Sequence, residues 1–270
     1  MNQRAATAAA VTGQANGAAL AVSGVTVRFE GVLALDDVSF SAAAQSITCL
    51  IGPNGAGKST MLGVISGLVR PQAGQVTVHG QDVTHAGPQR IFATRVARSF
   101  QVPQLIPELT VRQHIVLAHR AASARHHLWR DMLGFGGPAE TAAEREYADR
   151  IADRLRLTGV RDDVAGSLPM GLRRLVEVGQ CLAADPRVLL LDEPSAGLNR
   201  AETDAFAAVV RELAHTDGVA TVIVEHDLEF VLNISDRIVV LDFGRLVESG
   251  PPAQIRASEA VRAAYFGRDE

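Results

Sequence analysis

The chain has 270 residues, 47% hydrophobic and 21% charged, a composition that suits one large core or two modest lobes and excludes disorder of the whole chain. A formal net charge of −4 gives no general attraction to nucleic acid or to anionic lipid, so no nucleic-acid partner is expected and any membrane contact is local. No stretch approaches the roughly 18–20 uninterrupted apolar residues that span a bilayer, so the chain is not expected to be a channel or permease itself.

Met1 to Ala19 is rich in alanine but interrupted by Thr7, Thr12, Gly13, Gln14, Asn16 and Gly17, so it is no credible export signal. Residues 1–18 are expected to be a disordered extension, with the folded part over 19–270. Ala21-Val22-Ser23, Val25 to Phe29 and Val38-Ser39-Phe40 read as strands of an antiparallel lobe. Ile47 to Ile51 is an apolar strand that stops at a glycine-rich turn, Gly52 to Thr60. Met61, Leu62, Val64, Ile65 and Leu68 then fall at helical spacing, with Arg70-Pro71 as the expected stop. Val76-Thr77-Val78 before His79-Gly80 predicts a further strand and turn.

Beyond Thr110 the texture becomes helical, first over Val111 to Ala122 and again from Pro138 to Leu157, with a glycine-rich break at Leu133 to Pro138. This block, about 111–184, reads as a helical subdomain inserted into an α/β core. Strands return at Val188 to Leu191, Val219 to Val224 and Arg237 to Leu241, and their continuous β-branched and Leu runs suit a parallel sheet covered on both faces.

Gly52-Pro53-Asn54-Gly55-Ala56-Gly57-Lys58-Ser59-Thr60 is a full match to the phosphate-binding P-loop, in the strand–turn–helix context that motif requires. Such a turn aims several backbone N–H groups and the positive end of a helix at one point. Lys58 can reach the β- and γ-phosphates of a nucleotide, and the Ser59 hydroxyl can ligate magnesium. The strand Val188 to Leu191 delivers Asp192 and Glu193 at its carboxyl end, where an α/β sheet presents its chemistry. Asp192 can hold Mg2+ through a water while Glu193 polarises an attacking water. Cys49 and Cys181 are too few for a disulfide framework and read as buried thiols. The adjacent pair His126-His127 lacks ligands at metal spacing and reads as a polar helix face.

With these motifs in place, the chain from Leu20 to Gly267 resembles the ATP-binding subunit of an ABC transporter. The resemblance implies a P-loop NTPase core with a mainly parallel sheet, an antiparallel β lobe and an inserted helical subdomain. It makes Gln101, in Arg98-Ser99-Phe100-Gln101, the glutamine that contacts magnesium and the attacking water and senses the membrane partner. His226, 33 residues after Glu193, becomes the switch histidine that holds the γ-phosphate and the base. Phe29 becomes the aromatic residue stacked on adenine. Ser195 to Asn199 takes the place of a loop that crosses the dimer interface, with Asn199 where the family usually has aspartate.

The family's signature, Leu-Ser-Gly-Gly-Gln, corresponds here to Leu168-Pro169-Met170-Gly171-Leu172, a partial match. Gly171 preserves close backbone approach and a helix beginning near Leu172 preserves a positive end. Pro169 replaces the serine that would bond the γ-phosphate, a contact worth about 1.5–3 kcal/mol where it is made. In this family the signature acts in trans on a second subunit's ATP. The implied cofactors are ATP and Mg2+. The implied partners are transmembrane permease subunits, a second ABC ATPase subunit and, indirectly, a periplasmic or extracellular solute-binding protein. The implied place is the cytoplasmic face of the inner (plasma) membrane.

Ser-Ala-Gly-Leu-Asn, the helical insertion after His119, Val-Glu-His-Asp and the closing Ala-Val-Arg-Ala-Ala-Tyr-Phe-Gly look like the branched-chain amino acid importer subfamily. Urea, amide and aromatic-acid importers use similar subunits. Val102 to Thr110, with Leu105 and Ile106 between Pro103 and Pro107, is the expected permease-docking segment, and Arg95, Arg98 and Arg112 read as a solvated face. The alternative is a soluble ABC ATPase of an assembly or scaffold system. DNA-repair and translation ABC proteins, with coiled-coil insertions or two cassettes per chain, fit less well, and no Asn-Lys-x-Asp motif supports a GTPase.

Overall fold

A computed structural model describes residues 18–99, 101, 103–123 and 140–261. The expected extension up to residue 17, His126-His127, the break at Leu133 to Pro138 and the closing segment from Arg262 lie outside the described residues. The chain divides into two compact units, one containing residues up to Arg98, Arg187–Ala196 and from Val210, the other Ser99–Pro186 and Gly197–Val209.

The first unit holds two sheets. In the antiparallel sheet β1 (Ala18–Phe29) pairs with β2 (Val32–Ala43) on one side and β4 (Ala73–Val78) on the other, and β5 (Gln81–Asp82) closes the edge. Its strands outrun the short ones the sequence predicts, because the alternation of buried Val22, Val25 and Val27 with outward residues continues through the irregular registers around them. His79 and Gly80, at φ of 47° and 76°, form the two-residue turn joining β4 to β5.

The second sheet has the order β10-β9-β3-β8-β7-β6. Here β3 (Ile47–Ile51), β6 (Val96–Arg98), β7 (Val188–Asp192), β8 (Ala220–Val224) and β9 (Arg237–Asp242) run parallel, and β10 (Arg245–Gly250) is an antiparallel edge. All five residues of β3, β7 and β8 are buried, as uninterrupted apolar runs require when both faces are covered. Helix α1 (Lys58–Ile65) follows the P-loop and buries Met61, Leu62, Val64 and Ile65 in the same core as Leu50, Val222 and Val239. It ends at Ile65 with Ser66 as its C-cap, earlier than the proline at 71 suggests. Gly67, at φ 75°, donates to the Val64 carbonyl, and Leu68 donates to the Gly63 carbonyl at 2.9 Å, so a left-handed glycine cap closes the helix first. Helix α2 (Pro88–Ala93) begins with proline in its first turn.

In the second unit, α3 (Val111–Ser123) packs with α4 (Ala142–Arg154) and α5 (Met170–Leu182). Thr141 and Glu144 form a reciprocal cap that starts α4. Helix α6 (Arg200–Asp217) leaves the second unit after Val209. Two short helices, α7 (Leu228–Ile234) and α8 (Pro252–Ala257), complete the first unit. Cys49 and Cys181 are free and buried, and burial pushes both thiols up, Cys181 to about 12.

Candidate nucleotide site

Parallel register brings three strand ends to one edge of the sheet. Leu50 of β3 and Asp192 of β7 both lie opposite Val224 of β8. The residues that follow are therefore neighbours: Gly52 after β3, Glu193 after β7, and Glu225-His226 after β8. Backbone bonds continue the ladder, from Glu193 N–H to the Val224 carbonyl at 2.9 Å and from Glu225 N–H to the Leu50 carbonyl at 3.2 Å.

The P-loop between β3 and α1 is shaped by its glycines. A Cβ on Gly52 would sit 2.1 Å from the Leu241 carbonyl oxygen, and one on Gly57, at φ 97°, would sit 2.6 Å from that of Ala34. At Gly55, by contrast, a Cβ would meet nothing within 4 Å, so the crest of the loop is open to a ligand. Pro53 and Thr60 are half-buried, Asn54 and Ser59 are exposed, and Ala56 is buried. Lys58 is buried, and its ammonium donates to the carbonyls of Gly52 at 2.7 Å and Pro53 at 2.9 Å. Burial pulls its pKa below the ordinary lysine value, while Glu193, Asp192 and Glu225 oppose that shift in that order. Positive end of helix, open glycine crest and a cation among carboxylates make a cradle that fits a polyphosphate.

Glu193 occupies the left-handed region at φ 45°, unusual for a residue with a side chain. Its Oε2 lies 3.8 Å from His226 Nδ1, and the His226 side chain is 58% exposed. Asp192 is buried and pairs with Arg98, whose Nη2 donates to Oδ2 at 2.9 Å. Arg98 is therefore no solvated face. β6 lies beside β7 with Arg98 opposite Leu190, and the long side chain reaches the acid two residues on. Arg112 also departs from that expectation, since Asp149 and Asp162 both accept hydrogen bonds from it. Phe29, 47% exposed, pairs with exposed Val32 at the tip of the β1–β2 hairpin, and Ala34 and Leu35 a few residues on pack against Gly57.

Gln101 and Leu168 to Leu172 belong to the second unit. Gln101 is exposed. Helix α5 starts at Met170, two residues before the expected Leu172, because Pro169 already has the extended ψ of an N-cap. Pro169 supplies no side-chain cap. Arg173 instead ties the entering chain by donating to the carbonyls of Leu168 and Gly166 at 2.8 and 2.7 Å. A Cβ on Gly171 would meet Glu202 Cγ at 3.1 Å, so a side chain there would have to displace that of Glu202 by a few tenths of an ångström. Asn199 is the N-cap of α6: its Oδ1 accepts from Glu202 N–H and its own N–H donates to Glu202 Oε2, both at 3.0 Å.

Sequence reasoning passed over Glu225, His114 and the Arg98–Asp192 pair. Glu225 carried a signal, an acid directly continuing a wholly apolar strand. His114 carried none, because its role depends on a loop folding back onto it.

The model of the ABC transporter family matches residues 35–196, and that of the branched-chain amino acid ATP-binding cassette transporter matches residues 245–270. The chain belongs to the ABC transporter family, as its ATP-binding, ATP-hydrolysing cassette. It is 36% identical over 254 residues to the high-affinity branched-chain amino acid transport ATP-binding protein BraF of Pseudomonas aeruginosa, covering 92% of this chain and 97% of that one. LivG of Escherichia coli, with the same description, is 34% identical over 251 residues, again covering 92% and 97%. Among solved structures, MJ1267, an ATP-binding cassette of an ABC transporter in its ADP conformation, superposes with a TM-score of 0.82 at 30% identity, covering 93% of this chain and 99% of that one. Among the described residues no helix is long and apolar enough to cross a membrane.

Proposed function

We propose that this chain is the ATPase subunit of an importer for branched-chain amino acids or a related small polar solute, peripheral to the cytoplasmic face of the plasma membrane and driven by ATP-dependent closure of two cassettes. The observation that carries the reading is the convergence of Lys58, Asp192, Glu193 and His226 at adjoining strand ends, in a chain that matches BraF almost end to end.

The backbone of Gly52 to Thr60 and the Lys58 ammonium bind the β- and γ-phosphates, and Phe29 stacks on adenine. Lys58 is already held by two loop carbonyls, so it reaches a phosphate by exchanging acceptors within the loop. Glu193 orients and polarises the attacking water, and His226 holds the γ-phosphate against it. Ser59, Asp192 and Gln101 supply hard oxygen donors of the kind Mg2+ accepts while keeping water and phosphate ligands, and Mg2+ when bound neutralises developing phosphate charge. A second cassette contributes its own signature segment across the interface, and Leu168 to Leu172 of this chain serve the second cassette's ATP. In a homodimer both sites then carry Pro169, and in a heterodimer only one does. Val102 to Thr110, with Ile106 exposed, receives the permease.

The alternative read from the sequence, a soluble assembly ATPase, is disfavoured by the near full-length match to importer cassettes. Purification of the complex in detergent separates the two, with permease and solute-binding chains co-purifying if the importer reading holds and soluble partners alone if it fails. For the chemistry, Glu193→Gln abolishes turnover while ATP binding survives; undiminished ATPase in that variant removes Glu193 from the role of base.

A further inference from the structure

Glu225 lies beside the proposed base and switch, yet the chemistry above gives it no task. It is 0% exposed. Taking a carboxylate out of water costs several kcal/mol unless its charge is well solvated by the protein. Here the solvation comes from backbone. Oε1 accepts the Ser195 N–H at 2.8 Å, and Oε2 accepts the His226 N–H at 3.0 Å, with the Asp227 N–H at 3.5 Å. Among the described residues its one ion-pair contact within 4.0 Å is His226 Nδ1, at 3.8 Å.

The geometry of the chain around those amides gives the carboxylate a purpose. Glu193 adopts a left-handed conformation that strains a side-chain-bearing residue and persists only where the surroundings impose it. On its N-terminal side, Glu193 is held by its own N–H on the Val224 carbonyl. On its C-terminal side, its carbonyl accepts the Ala196 N–H at 3.2 Å, and the turn so closed is tied to the sheet through Ser195 N–H on Glu225. The same carboxylate holds the His226 amide, and Asp227 caps α7 through the N–H groups of Glu229 and Phe230. The backbone at the switch is thus pinned before and after His226, leaving the exposed imidazole to move.

We propose that Glu225 is a positioning residue for hydrolysis: its two oxygens clamp the turn that follows Glu193 and the backbone of His226 to one buried point, setting the separation of base and switch. The proposal rests on Glu193 being the base.

The test uses Glu225→Gln and Glu225→Asp in the full-length protein, with Glu193→Gln measured alongside. The glutamine amide turns an NH2 toward one of the two N–H donors. The aspartate keeps the charge but retracts the carboxyl by about 1.5 Å, too far to hold both amides. Both variants are expected to lose about ten- to a hundredfold in kcat, the scale of a small misplacement, with KM and the Kd of a fluorescent ATP analogue within about twofold. Amide exchange in Glu225→Gln is expected to accelerate at Ser195 and His226 together while α1 amides stay protected. Wild-type kcat in Glu225→Asp would overturn the proposal, because charge alone would then suffice. Weakened ATP binding with unchanged kcat, or protection lost throughout the sheet, would overturn it as well. If Glu193→Gln stays active, the assignment of the base fails; if only the Glu225 variants stay active, the positioning role alone fails.

Discussion

Arg98 and Asp192 form an ion pair at 2.9 Å, with side chains only 16% and 10% exposed. The other guanidinium arm, Nη1, donates to Ser66 Oγ at the cap of α1, also at 2.9 Å. One arginine thus ties the end of the P-loop helix to the acid proposed to hold magnesium, and it engages one of that acid's two oxygens.

Arg98→Met should therefore do two things. It removes the Arg98 charge beside a buried carboxylate, which costs about 3 kcal/mol, the low end of what breaking a buried pair costs. It also removes the Arg98 hold on one Asp192 oxygen, so the Mg2+ concentration that gives half-maximal ATPase should rise more than the KM for ATP. Denaturant unfolding and a magnesium titration check the two parts separately.

His114 is wholly buried and staples the proposed docking loop to α3. Its Nε2 accepts the Ile106 N–H at 3.0 Å, which leaves Nδ1 to donate to the Thr110 carbonyl at 2.9 Å. Burial holds its pKa below the ordinary histidine value, only partly opposed by the Thr110 bond. The unfolded chain therefore takes up the proton first. The contribution to stability is complete above the unfolded value of about 6.5 and falls away as pH drops below it. The protection factor at Ile106, its exchange rate taken relative to the intrinsic rate at each pH, should fall between pH 7 and pH 5.5, and His114→Leu should remove that pH dependence.

Pro169 already holds the extended backbone of an N-cap, so Pro169→Ser needs little rearrangement. The serine hydroxyl can cap α5, adding about 0.5–1 kcal/mol. In the assembled transporter it can also reach the partner's γ-phosphate, so turnover should rise several-fold. A gain in melting temperature without a gain in turnover would mean that the serine contact is dispensable here.

At Asn199, where the family usually has aspartate, the side chain caps α6, a task that either residue performs. Asn199→Asp preserves the reciprocal cap with Glu202 and should leave the melting temperature nearly unchanged. Asn199→Ala removes the side-chain half of the cap and should cost about 1 kcal/mol, readable by thermal unfolding.

The P-loop and the acid-bearing strand were legible from the sequence because their signals are local. A glycine-rich turn between an apolar strand and a helix, and two acids ending a run of Val and Leu, each carry their geometry in consecutive residues. Helix ends were less legible. The proline at 71 was the stronger stop in the sequence, but a left-handed glycine at 67 closed α1 first, because its two backbone bonds satisfy the last carbonyls without needing Pro71.

The sequence by itself determined the class of chemistry, because the P-loop with its lysine and the two acids ending a strand are written in short contiguous motifs. Tertiary structure alone decided how those groups are held. Arg98 meets Asp192 across 94 residues and Glu225 meets Ser195 across 30, because strand register sets which side chains share an edge. A buried charge must also find its compensating partners wherever the packed sheet supplies them.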